Sequence, residues 1–367
     1  MATSSTAFQR YLLPGLVFQS VIVGGGYATG RELVEFFVSQ GPWGGFLGML
    51  LAMSIWSLVL AVSFELARIT RSYDYLTFFR HLLGRGWILF EIPFCALIIV
   101  SLAVLGSATG TMLTSHFDIP DYTGTVLLAL LIGILTFYGT TLIEKVFASW
   151  SLVLYCAYIT LFIWCWISFG EAIKAGFATP MIAEEWYRGG LVYAGINIAA
   201  IPAILFSLRH LKSRRDAICS GLLAGPIAMI PALLFFTLLI GHYPKIIAES
   251  LPLTYILDQL DSQYFGYLFQ IIILGTFIET GTALIHSLNE RLSAMFKLDR
   301  GSLQASWWRP LTAITALLLS VFLATKIGLV QLIANGFGTL TYAFLFIFVL
   351  PVMTLGVWKI YKGDQNR

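Results

Sequence analysis

A stretch of four glycines followed by two charged residues lies inside the first hydrophobic run of the chain, at residues 24–32 (GGGYATGRE). Each glycine weakens a helix by about 1 kcal/mol relative to alanine. A membrane helix must satisfy its own backbone hydrogen bonds, and charge at that depth is costly, so broken helices are tolerated only inside protein or beside a cavity. The stretch therefore predicts a break in the first membrane helix that forms part of a binding site.

The composition is that of a polytopic membrane protein. Of the 367 residues, 58% are hydrophobic and 11% are charged, whereas soluble domains have about 25% charged residues. Ten apolar runs are long enough to cross a bilayer, which takes about 20 residues. They cover approximately 11–38, 44–69, 87–115, 122–140, 144–169, 187–208, 215–241, 263–289, 309–325 and 328–357. We therefore predict an all-α polytopic membrane protein of about ten transmembrane helices, with residues 1–367 forming one membrane domain.

Loop charge predicts the orientation and excludes other classes of partner. With the N-terminus inside, most of the 22 Lys and Arg residues fall in cytoplasmic loops, and the opposite loops are mainly acidic. An even number of spans then places both termini in the cytoplasm. The basic residues form no continuous patch, so no nucleic-acid partner is expected.

The four cysteines lack metal-ligand spacing, and we expect neither a disulfide nor a metal centre from them.

The sixth apolar run is interrupted like the first. Residues 193–197 (YAGIN) place a glycine and an amide in mid-run, and Pro202 follows. Ten spans divide into halves of five, which have opposite orientations. Interrupted helices at matching positions of two halves are typical of a transporter substrate site. We predict a 5+5 inverted repeat, about 8–170 and 186–358, with helices 1 and 6 broken at mid-membrane.

Three motifs of the chain resemble the leucine-transporter fold of the amino acid–polyamine–organocation superfamily, and in particular the YkvI-like bacterial membrane transporters. They are GGGYATGRE at 24–32, YAGIN at 193–197 and ETGTALIHSLNERL at 279–292. The resemblance implies that helices one, two, six and seven form a bundle that rocks against helices three, four, eight and nine. It also implies a multi-pass protein of the bacterial inner membrane, and it implies little about the substrate.

The two interrupted helices supply the predicted substrate site. Free N–H groups at one half-helix favour an anionic group and free C=O groups at the other favour a cation, a pairing that suits a zwitterion. The alternative is that the glycines only permit close helix packing and that the tyrosines beside them are packing aromatics. The predicted substrate-binding residues are Gly24, Gly25, Gly26, Tyr27, Thr29, Tyr193, Gly195 and Asn197.

Two carboxylates within the spans, Glu32 and Glu279, are candidates for ion coupling. A carboxyl group removed from water carries a proton near neutral pH more readily than an exposed one. Glu32 could instead hold a substrate ammonium, and either carboxylate could serve stability alone. The resemblance to this fold implies that a coupling sodium ion would lie between backbone carbonyls of helix one and hydroxyl groups of helix eight. The candidate hydroxyl groups are those of Thr280 and Thr282. The coupling ion is thus a proton or sodium, with the carboxylates favouring a proton.

Arg31 is the candidate gate residue. It resembles the arginine that closes the outer gate in sodium-coupled relatives. The tenth run, where those relatives carry an acidic partner, offers only Gln331 and Asn335. Arg31 and Glu32 could alternatively pair with other bundle residues for stability.

These features predict an ion-coupled secondary active transporter, a symporter of a small polar organic solute such as an amino acid or amine, working by alternating access. The alternative is a non-transporting solute sensor or receptor subunit on the same fold. An enzyme is not expected, because the sequence contains no HExxH, no GxSxG and no paired-Asp motif, and ATP coupling is not expected, because it contains no GxxxxGK[ST] motif. The expected partners are a small solute, a coupling cation and the lipid bilayer, with no organic cofactor. The substrate, the stoichiometry and the oligomeric state stay open.

Overall fold

The computed structural model describes residues 6–23, 25–117, 119–138, 140–295 and 303–365, which are almost entirely helical. Its helices are α1 (Ala7–Tyr11), α2 (Leu13–Ile22), α3 (Gly25–Ala28), α4 (Arg31–Phe36), α5 (Pro42–Thr70), α6 (Tyr75–Leu83), α7 (Ile88–Phe117), α8 (Asp121–Tyr138), α9 (Thr140–Phe177), α10 (Trp186–Ile198), α11 (Ile201–Ile204), α12 (Arg214–Ile240), α13 (Pro252–Gln259), α14 (Gln263–Met295), α15 (Leu303–Ile327) and α16 (Leu329–Lys362). A 3-10 turn, Leu205–His210, continues α11.

Seven helices among the described residues are long and apolar enough to cross a membrane. An eighth crossing is obtained if α10 and the segment Ile201–His210, which meet at a bend of 45°, count as one span. The first and fourth predicted runs contain shorter apolar helices, Leu13–Ile22 and Asp121–Thr136. Within the first run, α3 and α4 are separated at Gly30, which adopts a φ of +77°, a backbone conformation that glycine tolerates and a regular helix does not contain. The chain is a multi-pass membrane protein.

Helix packing separates most of the spans into two groups. The bundle group consists of α2, α5, α10 and α12, which pack on one another, and the scaffold group consists of α7, α8, α14 and α15. The short helix α3 follows α2 of the bundle group along the sequence and packs against α7 and α14 of the scaffold group. This grouping matches the one that the fold resemblance implies.

The outer surface of the helices is apolar. Ile167 is 76% exposed, Phe346 69% and Ile92 67%, although all three are large hydrophobic residues. Such a surface suits lipid rather than water. The buried polar and charged residues, including Glu32, Glu91 and Arg291, lie inside.

Two segments outside the long helices have their own structure. The short helix α6 follows α5 and begins where the Asp74 side chain accepts a hydrogen bond from the Thr77 N–H at 2.9 Å. The segment from Pro244 to Gln263, which we call the hairpin, contains a 3-10 turn, Lys245–Ala248, and α13. Pro252 begins α13, a position where its missing N–H costs nothing.

The contact between α5 and α12 depends on small residues. A Cβ atom added at Gly221 would lie 2.3 Å from the Ala61 Cα, and one added at Gly225 would lie 2.3 Å from the Ser57 hydroxyl oxygen. Small residues let helix backbones approach closely in membranes, where no hydrophobic driving force acts between helices. This contact holds the bundle group together.

We predict that Gly221→Ala destabilises the protein by about 1–3 kcal/mol, because the added methyl group forces α12 away from the backbone of α5. The measurement is the apparent melting temperature of the purified protein in detergent. Gly266→Ala on α14 is the matched control, since nothing lies within 4 Å of a Cβ there. Equal melting temperatures for the two variants would contradict the prediction.

Candidate functional site

A cavity of about 460 Å³ lies between the bundle and scaffold groups. Its polar lining residues are Ser20, Tyr27, Glu32, Ser101, Tyr155, Asn197, Thr276, Glu279, Thr280 and Ser287. Most of the remaining wall is aliphatic or aromatic, and includes Ile22, Leu97, Ile98, Val104 and Phe337. A mostly apolar pocket of this size with a few convergent polar groups is typical of a small-molecule site. We call it the central cavity.

The central cavity brings together predicted site residues from three separate spans. Those that line it are Tyr27, Glu32, Asn197, Glu279 and Thr280. Those that do not line it are Thr29, Arg31, Tyr193, Gly195 and Thr282. Gly24 lies outside the described residues, and Gly25 and Gly26 form the start of α3.

Two N–H groups of the turn between α3 and α4 are bonded within the turn. The Gly30 N–H donates to the Tyr27 carbonyl at 3.0 Å, and the Arg31 N–H donates to the Thr29 hydroxyl at 3.2 Å. These two donors belong to the end of the break that the sequence predicts to hold an anionic group. In the structure they are engaged within the chain.

The carbonyl groups of the same turn are bound by other parts of the protein. The hydroxyl of Tyr158 on α9 donates to the Ala28 carbonyl at 3.2 Å. The Leu253 N–H, in the hairpin helix α13, donates to the Thr29 carbonyl at 3.1 Å. The break is thereby tied both to α9 and to the hairpin.

Glu32 is the most isolated charged group of the cavity. It lies at the start of α4, lines the central cavity and is only 9% exposed. It forms no hydrogen bond or ion pair with any residue that the structure describes. The side chains of Tyr27 and Tyr193 are close enough to interact with its charge. An isolated carboxylate in such a setting is costly unless a proton or a cation neutralises it.

Glu279 faces the cavity from α14, on the scaffold group, and lies within electrostatic reach of Tyr155 on α9. The lining face of α14 runs through Thr276, Glu279 and Ser287. Thr282 falls off this face because each residue turns a helix by about 100°, and its hydroxyl donates to the Ile278 carbonyl at 2.7 Å. Of the two candidate sodium hydroxyls, only that of Thr280 therefore faces the cavity.

Tyr193 and Gly195 lie behind the cavity wall and set the packing of α10. Tyr193 is fully buried, with its ring 4.9 Å from that of Phe37 and 5.5 Å from that of Trp56. A Cβ at Gly195 would lie 2.5 Å from the Thr341 methyl group on α16. The Asn197 side-chain amide donates to the Tyr193 carbonyl at 2.9 Å, so one of its two N–H donors is already used.

Arg31 points away from the cavity, towards the hairpin. Its guanidinium donates to the carbonyls of Ile247 at 3.0 Å and Glu249 at 2.9 Å, and to the Glu35 carboxylate at 2.5 Å. Its partners are thus the hairpin and its own helix rather than the tenth apolar run.

Next to the hairpin, burial lowers the pKa of His242, which keeps the imidazole neutral at pH 7.

A second cavity of about 410 Å³ lies on the hairpin side, between α4, α10 and α16. Its lining residues include Glu35, Arg188 and Asn335. The π-helical segment Leu332–Phe337 of α16 separates the two cavities, since Phe337 lines the central one and Asn335 the outer one. The lining of the central cavity also includes Phe94, near the start of α7, and Ala203 on α11.

Several functional candidates were not predicted from the sequence. Ser20, Ser101, Tyr155 and Ser287 line the central cavity, and Tyr158 binds the break. Tyr155 and Tyr158 are three residues apart and so share a helix face. That spacing is the one sequence signal that could have identified them.

Comparison with known proteins identifies a relative by sequence but no family. No protein-family profile matches the chain. The chain is 22% identical over 342 residues to the uncharacterized membrane protein YkvI of Bacillus subtilis (strain 168), a similarity that covers 90% of this chain and 92% of that protein.

Three solved structures illustrate the fold that the chain shares with known proteins. Mhp1, a nucleobase-cation-symport-1 family transporter with bromovinylhydantoin bound, has a TM-score of 0.60 and 17% identity over 92% of this chain and 75% of Mhp1. MhsT in complex with L-phenylalanine has a TM-score of 0.59 and 12% identity over 98% of both chains. A Na+-coupled sialic acid symporter has a TM-score of 0.53 and 16% identity over 95% of this chain and 82% of the symporter. The chain thus has the leucine-transporter fold that its motifs resemble.

We predict that the two cavities open to opposite sides of the membrane, because α16 separates them and the hairpin covers the break. The test uses Ala203→Cys, at the wall of the central cavity, and Asn335→Cys, at the outer one, in a chain without the four native cysteines. A membrane-impermeant thiol reagent should label each variant from one side only, and the sides should differ. Ala194→Cys, at a fully buried position, serves as the unlabelled control. Labelling of both lining variants from the same side would contradict the prediction.

Proposed function

We propose that this protein is an ion-coupled secondary active transporter, a symporter that carries a small polar organic solute, an amino acid or an amine, by alternating access. The observation that carries the proposal is the position of two cavity carboxylates on opposite helix groups. Glu32 lies on α4, which packs on α10 and α12 of the bundle group, and Glu279 lies on α14 of the scaffold group. A rocking motion between the groups changes the distance between these charges, so binding of a cation couples to the motion.

Alternating access is supported by the two cavities on either side of the π-helical segment of α16. The last residues of α2 line the central cavity. On the side of the hairpin, the contacts of Arg31 and of α13 close the protein. We propose ten spans in two inverted repeats, in the bacterial inner membrane, with both termini cytoplasmic. In that orientation the conformation is inward-facing, and the contacts of Arg31 with the hairpin form the closed outer gate.

For the coupling ion we propose a proton carried by Glu279. Only the Thr280 hydroxyl faces the central cavity from the candidate sodium pair, and the Thr282 hydroxyl is bonded to its own helix. The Ala28 carbonyl, at the break, accepts from Tyr158. Two of the expected sodium ligands, the Thr282 hydroxyl and the Ala28 carbonyl, thus already take part in hydrogen bonds, and the Glu279 carboxylate lines the cavity.

The test of this proposal is transport by the purified protein in proteoliposomes. An inward acid jump should drive uptake of a solute from a panel of amino acids and amines, and Glu279→Gln should abolish this uptake, because an amide cannot carry the proton. Glu171→Gln is the control, since the Glu171 side chain is 91% exposed and pairs with Lys174.

Each other outcome removes a defined part of the proposal. Uptake that follows a sodium gradient and ignores pH would replace the proton by sodium. Unchanged uptake in Glu279→Gln would exclude Glu279 from the mechanism. Binding without counterflow of any labelled solute would favour a sensor on the same fold.

A further inference from the structure

We propose that the solute is an organic amine with an apolar body, that Glu32 binds its ammonium group, and that the zwitterionic amino acid of the same body is rejected. This inference rests on the proposed transport function and specifies the substrate class of the same cavity. It departs from the zwitterion that the glycine break alone suggests.

The charge of the cavity is the first argument. Glu32 and Glu279 are the charged residues among its described lining, which contains no Lys, Arg or His. Arg31 adjoins Glu32 in sequence, yet its guanidinium binds the hairpin carbonyls and Glu35. A substrate carboxylate would therefore find no cationic side chain in the described wall.

The supply of neutral donors is the second argument. An amino acid carboxylate could bind backbone N–H groups at the break instead of a cation. The N–H groups of Gly30 and Arg31 already bind Tyr27 and Thr29 within the turn. The Asn197 amide, the one side-chain amide in the described lining, uses a donor on the Tyr193 carbonyl.

The isolation of Glu32 is the third argument. It is 9% exposed, lines the cavity and has no hydrogen-bonding or ionic partner in the described part of the chain. An ammonium group supplies three N–H donors and a compensating charge, and charge-assisted hydrogen bonds are the stronger kind. Glu32 is thus the preferred anchor for a cationic head group.

Charge balance in the loaded cavity is the fourth argument. One proton on Glu279 and one ammonium on Glu32 neutralise both carboxylates. A zwitterion in place of the amine would bring its own carboxylate and leave one negative charge without compensation away from water, which is costly. The aliphatic wall of Ile22, Leu97 and Val104 then suits the body of the amine.

The experiment compares three amino acids with the amines that lack only the carboxyl group. The pairs are phenylalanine and 2-phenylethylamine, leucine and 3-methylbutylamine, and lysine and 1,5-diaminopentane. Binding to the purified full-length protein is measured by ligand-induced thermal stabilisation, and transport by counterflow in proteoliposomes. At least one amine should bind at least about tenfold more tightly than its amino acid.

Three variants assign the effect to Glu32. Glu32→Gln, which keeps the shape and removes the charge, should weaken amine binding at least about tenfold. Glu32→Asp should retain part of the affinity because the charge is kept, and Glu171→Gln should bind like the unmodified protein. The melting temperature without ligand shows whether each variant is folded.

The outcomes separate this inference from the proposed function. Counterflow of amino acids with equal or weaker binding of the amines would overturn the amine assignment and leave the transporter intact. Amine binding that survives Glu32→Gln would overturn the role of Glu32. Binding of amines without any counterflow would uphold the substrate class and overturn transport. Stabilisation by no member of the panel would overturn the amine assignment as well.

Discussion

The backbone of residues 27–31 must satisfy its hydrogen bonds without a continuous helix, and the rest of the site depends on how it does so. Each unsatisfied group would cost several kcal/mol in an apolar environment. The Ala28 carbonyl obtains its donor from Tyr158 on α9, and the Thr29 carbonyl from the N–H of Leu253 in the hairpin. The break is therefore a junction of three elements, and any motion of α9 or the hairpin changes what it can bind.

The same turn decides the direction of two neighbouring charges. Consecutive helical residues point about 100° apart, so the start of α4 sends Arg31 to the hairpin and Glu32 to the central cavity. One residue stabilises the closed end and the other leaves a negative charge in the cavity. A positive solute bound to Glu32 would act on the helix that also carries the Arg31 contacts with the hairpin, which would be a short physical route from binding to opening.

Much of the fold was predictable because it follows from hydrophobic length and glycine. The membrane class and the leucine-transporter fold are confirmed, and Gly30 lies between α3 and α4. Glu32 and Glu279 were recognisable as charges inside apolar runs, and both line one cavity. The partners of Arg31 were not predictable, because backbone carbonyls are present at every residue and leave no sequence pattern. The sequence alone could not distinguish a Tyr193 that lines the cavity from one that packs between helices. Its contacts with the rings of Phe37 and Trp56 show that it packs behind the cavity wall.

The central claim is that a cationic solute is held between the two helix groups by the carboxylate of Glu32. The most direct measurement is an experimental structure of the protein with the tightest-binding amine of the matched series. The account predicts an amine in the central cavity with its nitrogen about 2.7–3.2 Å from a Glu32 carboxylate oxygen. An amine bound elsewhere, or one whose apolar end faces Glu32, would contradict it.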